Sequence, residues 1–151
     1  MWVRNDLSTP YITMQNLDLL IAYMHQPQYL NPAGQCRSIS LAEIGYTSSF
    51  GTESQEASVA YGYLMAASCP DVDAFMLFRQ SDSAEEMQSN LALGLNDVYG
   101  NHKPAYAIYR DLGTPNQGAA IARASQIIGT DILAMVLNRV IWTRGGDGVV
   151  H

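Results

Sequence analysis

Two short apolar runs, "SISLAEI" at Ser38–Ile44 and "VDAFMLF" at Val72–Phe78, set the tightest limit on what this chain can fold into. Each is apolar nearly throughout and bounded by turn residues, the pattern of a strand buried on both faces of a parallel sheet. Between them lies "TESQEASVAYGYLMAASCP", in which Val59, Ala60, Tyr63, Leu64 and Ala67 form one helical stripe. Thr52 and Gln55 have capping-box spacing at its start, and Pro70 closes it. Glu43 and Arg79, at the two strand ends, are therefore one β-α repeat apart. Two parallel strands are fewer than the about 4–6 of an ordinary open sheet, and both edges would present unpaired apolar backbone. The chain is expected to be part of a larger sheet.

The remaining segments read as helices. In "TMQNLDLLIAYMHQ", Leu17, Leu20, Ile21 and Met24 fall three and four apart, with Thr13 as N-cap and Pro27 and "NPAG" as terminators. Ser83 and Glu86 have capping-box spacing and open a predicted helix through about Leu95. "NHKPAYAIYRDLG" restarts a helix with Pro104 in its first turn and Gly113 just past its end. A last helical region runs from about Gln117 to Trp142 and is expected to break near Gly129 and Thr130. The order is helix, strand, helix, strand, helix, then a helical tail, which is an α/β pattern.

Composition removes several classes of function. A length of 151 residues fits one domain, and 48% apolar with only 15% charged residues marks a globular chain. The net charge of −6 argues against nucleic acid and against anionic membrane surfaces as partners. "MWVRNDLSTPY" lacks the apolar core of a signal peptide. Ile127–Trp142, the longest apolar stretch, is interrupted by Gly129, Asp131, Asn138 and Arg139 and is too polar to span a bilayer. A soluble chain is expected. Cys36 and Cys69 make no disulfide framework, and His25, His102 and His151 show no ligand spacing, so no metal site and no cofactor are predicted. "RGGDGVVH" reads as a flexible glycine-rich tail without the flanking strand and helix of a phosphate loop.

Candidate chemistry gathers at the strand ends, where barrels and doubly wound sheets place their sites. Glu43 lies at one such end; Arg79, Gln80 and Asp82 lie at the next, and neighbouring strands are about 4.8 Å apart. Arg79 beside Glu43 would keep that carboxylate ionised, as a nucleophile requires; the same pair read structurally is an ion pair under a loop. Asp82 and Ser83 read as the N-terminal cap of the following helix ahead of an acid catalyst. Tyr46 fits either a sugar-stacking ring or a rim aromatic. Glu53 and Glu56 suit the positive end of their own helix, and Tyr61 and Tyr63 suit packing.

"ISLAEIGYTSS", "DAFMLFRQSDS" and "KPAYAIYRDL" together resemble the last quarter of a (β/α)8-barrel glycoside hydrolase of the clan A type. In that group the seventh strand ends in a nucleophilic Glu followed closely by Gly, the eighth carries sugar-contacting residues, and a "KPAY" stretch opens the last helix. Ile12–Leu112 also resembles a bacterial family of largely uncharacterised barrel proteins with related Glu-x-Gly and Arg-Gln-x-Asp stretches. The resemblance implies a partial TIM barrel over residues 1–113, with 114–151 as a helical C-terminal extension. It implies Glu43 as nucleophile, Tyr46, Arg79, Gln80 and Asp82 as sugar contacts, and a carbohydrate as substrate or ligand. Two features depart from the pattern: no Asn-Glu pair occurs to supply the acid/base, and Phe78 stands where an aromatic Trp is common. The isolated chain is accordingly expected to be inactive and to need the missing barrel half or a second copy of itself. The alternatives are a non-catalytic structural or carbohydrate-binding fragment that self-associates, and a small stand-alone domain of flavodoxin-like type.

Overall fold

A computed structural model describes Arg4 and residues 6–143, with side chains described as far as Asn138. The chain runs α1 (Leu17–Met24), a short 3-10 turn (Pro27–Tyr29), β1 (Ile39–Ile44), α2 (Thr52–Ala67), β2 (Val72–Leu77), α3 (Ala84–Met87), α4 (Pro104–Asp111), α5 (Gln117–Ile128) and α6 (Ile132–Thr143). The two strands are adjacent and parallel, as their unbroken apolar character predicts. Pro104 enters at the start of α4, and Gly129, with φ 79°, separates α5 from α6 at the expected break. The glycine-rich end, 144–151, lies outside the described residues.

The pairing register contains two irregularities that decide where side chains point. Ile39 pairs with Val72 and Ser40 with Ala74, so Asp73 is an extra residue on β2. Leu41 pairs with Phe75 and Ile44 with Leu77, so three steps along β1 match two along β2, and β1 carries an extra residue at Ala42–Glu43. Each bulge resets the two-residue alternation of faces. Ile39, Leu41 and Ile44 consequently share the face that packs with Leu17 of α1, Ala66 of α2, Val72 and Phe75. Ser40, Ala42 and Glu43 are exposed, and Met76 is 45% exposed. Among the described residues, helices thus cover one face of the sheet and leave the other open, although parallel sheets are ordinarily covered on both.

The larger core lies among helices. Val59, Ala60 and Met65 of α2 meet Ala105 and Ile108 of α4, Ala120 and Ala124 of α5, and Ile132 and Val136 of α6. The helices after residue 113 therefore bury into the same core as α2 and α4. Arg123 of α5 also reaches α2, donating to Glu56 at 3.1 Å and Glu53 at 2.9 Å. Those two glutamates are ion-pair partners of a neighbouring helix, where sequence assigned them to their own helix terminus. Among the described residues no single helix is long and apolar enough to cross a membrane.

Two predicted helix starts and one predicted helix end are corrected. α1 begins at Leu17 and not after Thr13, because Thr13–Asn16 closes a turn in which the Thr13 N–H donates to Asn16 Oδ1 at 2.7 Å. α2 begins at Thr52 with Gly51 in the cap position, and the Gln55 side chain donates instead to the Tyr46 carbonyl at 2.8 Å and the Gly94 carbonyl at 3.1 Å. α3 stops at Met87, well short of Leu95, because residues 91–96 bond backward. The Leu95 N–H donates to the Arg79 carbonyl, the Asn96 N–H to that of Gln80, and the Ser48 N–H to that of Ala92.

Candidate functional site

Glu43 stands at the C-terminal end of β1 with φ 61°, in the left-handed region. That conformation costs a non-glycine residue roughly 1–2 kcal/mol. The bulge that imposes it also breaks the two-residue alternation of faces at the strand end. Without the extra residue, strict alternation would put Glu43 beside Leu41 and under α1. As folded it is exposed and makes no hydrogen bond or ion pair among the described residues. It lines a surface cavity of about 320 Å³ with Thr13, Met14, Leu41, Ile44 and Tyr46. Strained backbone kept at a strand end, with a free carboxylate upon it, is the pattern found where backbone strain serves a site.

The residues after β2 behave differently. Arg79 does not meet Glu43; its guanidinium pairs with Glu86 Oε2 at 2.9 Å and lies 5.3 Å from the centre of the Phe78 ring. Glu86 sits a few residues along the same connection, so this pairing orders less chain than one across the sheet would. Gln80 is exposed, with its carbonyl accepting from Asn96. Asp82 is neither a helix cap nor open to a sugar. Its side chain is 4% exposed and meets Lys103 Nζ at 2.9 and 3.0 Å, while its Oδ1 accepts the Gly94 N–H at 2.7 Å. Lys103 Nζ also donates to Ser48 Oγ at 3.0 Å and the Ala92 carbonyl at 3.1 Å. Three stretches of sequence, after β1, after β2 and before α4, are pinned together by one ammonium group.

Tyr46 points inward. Its hydroxyl is buried without a hydrogen-bond partner among the described residues, and burial raises its pKa, with nearby Tyr61 adding to the shift. It fits because residue 62 is glycine: a Cβ there would lie 1.9 Å from Tyr46 Oη. Packing against α2 is its observed role. Of the five residues chosen from sequence, Glu43 and Gln80 keep exposed side chains at the rim that are uncommitted among the described residues, and Arg79, Asp82 and Tyr46 are engaged in the fold.

Residues 1–136 match a family described as Family of unknown function (DUF5722). The chain belongs to that family. No curated protein and no solved structure matches it. The DUF5722 match runs through α4 and α5 and into α6, in keeping with the shared core of those helices.

Among the described residues, this DUF5722 rim offers Glu43 as an exposed carboxylate without a cation partner. Asp82 and Glu86, which follow β2, are both held by cations. Sequence reasoning missed Lys103 as a site former, although a lysine in the cap position before Pro104 was a usable signal: it is a poor helix cap and needs another purpose. It also missed Asn96 and His102, whose Oδ1 and Nδ1 are 2.7 Å apart, with the His102 ring stacked on Tyr106 at 3.6 Å. His25, scattered from other ligand types along the chain, is brought beside Cys36 and Asp71 at the far end of the sheet.

Proposed function

We propose that the chain is the seventh- and eighth-strand portion of a (β/α)8 barrel related to clan A glycoside hydrolases, with Glu43 in the nucleophile position. The observation that carries this reading is Glu43 itself, an exposed carboxylate held at φ 61° by the bulge at the C-terminal end of β1. In a barrel that end of the strands carries the chemistry. In a retaining hydrolysis the Glu43 carboxylate attacks the anomeric carbon while a second carboxylic acid protonates the departing oxygen. Water then releases the sugar, and no cofactor is required. The two carboxyl groups stand roughly 5–5.5 Å apart in such enzymes. Asp82 and Glu86 are both committed to cations, so neither is free to serve as the acid/base.

The 151-residue chain alone is accordingly expected to give no glycosidase turnover. In a longer barrel containing it, a mechanism-based fluorosugar should label Glu43 and no other carboxylate, and Glu43→Gln should lower hydrolysis by several orders of magnitude. Full activity in that variant overturns the nucleophile assignment. The second reading is a carbohydrate-binding or structural role without catalysis, favoured by the same commitment of Asp82 and Glu86. Sugar binding that survives Glu43→Gln, in a barrel that no fluorosugar labels, selects it.

A further inference from the structure

His25, Cys36 and Asp71 meet at the end of the sheet opposite Glu43. His25 closes α1, Cys36 lies in the segment leading into β1, and Asp71 immediately precedes β2. A helix that precedes a parallel strand returns its C-terminal end toward the strand's N-terminal end, so all three side chains reach one edge of the fold. One potential ligand atom from each lies within 4.8 Å of the other two. His25 Nε2 and Asp71 Oδ2 are already 2.8 Å apart.

The geometry points to a binding site for a borderline-soft divalent cation, zinc foremost, held by the His25 imidazole, the Cys36 thiolate and the Asp71 carboxylate, with water in the fourth position. Mixed nitrogen, sulfur and oxygen donors are the set zinc takes, whereas calcium and magnesium require oxygen throughout. Zinc with Zn–N about 2.0 Å and Zn–S about 2.3 Å sets tetrahedral ligand atoms about 3.5 Å apart. To reach that size the triangle has to contract through side-chain torsions, and the His25 and Asp71 side chains are 52% and 27% exposed. A surface His–Asp pair explains two of the three residues and gives no reason for a thiol in the same shell. Burial, and then the Asp71 charge, push the Cys36 thiol upward. A dication reverses both effects, because it stabilises the thiolate and satisfies the carboxylate that opposed it. The ion would tie α1 and the segment before β1 to the entry of β2, and it is independent of any chemistry at Glu43.

The test is titration of the reduced, metal-free 151-residue chain with Co²⁺. Saturation is expected at one cobalt per chain, with the intense visible bands of four-coordinate cobalt and a near-ultraviolet sulfur-to-cobalt band, all displaced by Zn²⁺. Cys36→Ser should abolish the sulfur band, and Cys69→Ser should leave it. His25→Gln and Asp71→Asn should each weaken zinc affinity at least about tenfold, since even groups behind the ligands are worth 10–100-fold. Circular dichroism on each variant shows that the fold is kept. The site is refuted if the folded wild type gives no sulfur band at saturating cobalt, or if the band survives Cys36→Ser. It is equally refuted if zinc raises the unfolding temperature of a His25→Gln/Cys36→Ser double variant as much as that of the wild type.

Discussion

Asp82 and Lys103 show how far one residue's role depends on what surrounds it. Both are nearly removed from water, and each satisfies several hydrogen bonds, so the pair is held by geometry as much as by charge. Removing one partner strands the other in low dielectric, which costs about 3–5 kcal/mol. Asp82→Ala should therefore lower the urea midpoint sharply, and Asp82→Asn, which still accepts the Gly94 N–H, should lower it less. Equal losses in the two variants would mean that the charge contributes nothing. Glu43 is the opposite case. It has no side-chain partner among the described residues and sits at φ 61°, which asparagine tolerates better. Glu43→Asn is expected to unfold no earlier than wild type and up to about 1 kcal/mol later. A loss of more than 1 kcal/mol would assign Glu43 to structure and remove the argument that its strain is kept for function.

At the scale of elements, α2 is the pivot of the molecule, and its fit to β1 rests on the absence of one methyl group. A Cβ at Gly62 would stand 1.9 Å from Tyr46 Oη and 2.8 Å from Cζ, so Gly62→Ala has to displace the ring. Overpacking of this kind costs roughly 1–3 kcal/mol. Tyr46→Phe removes the atom in closest conflict, and with it a buried hydroxyl that has no partner among the described residues. Thermal unfolding should find the Gly62→Ala penalty smaller in the Tyr46→Phe background; an additive pair would show that the ring is not what Gly62 makes room for. These contacts were beyond the reach of sequence, whereas the elements themselves were largely legible. β1 and β2 declared themselves by unbroken apolar runs, α4 by Pro104, and the α5–α6 break by Gly129, all local signals. α3 was overextended because "NLALGLN" spends its backbone hydrogen bonds on Arg79, Gln80 and Ser48, tertiary partners that no local period encodes. The site divides the same way. Glu43 could be picked out because a charge ending an apolar strand is a local anomaly. Arg79, Asp82 and the His25–Cys36–Asp71 group depend on partners that only the folded chain brings to them.

For the whole molecule, the open face of the sheet is the feature that calls for a partner. Ser40, Ala42 and Met76 line it, and the two strands leave both outer edges without a neighbour among the described residues. Parallel strands seldom persist with one bare face, and an unpaired edge is a template for another strand. The chain is therefore expected to self-associate through this face or its edges, burying more than ~1,000 Å² in total, unless the rest of a barrel covers them. Met76→Lys provides the discriminating measurement. On an open face the lysine extends into water and changes monomer stability by no more than about 0.5 kcal/mol, while it burdens any interface formed there with an unpaired charge. Sedimentation should then show association in the wild type and weaker association in the variant at the same concentration, with the two chains unfolding alike. A wild type that stays monomeric at high concentration and binds no apolar dye would reject self-association. A variant that unfolds several kilocalories earlier as a monomer would mean that Met76 is covered within the chain itself, and the case for a missing barrel wall would fall with it.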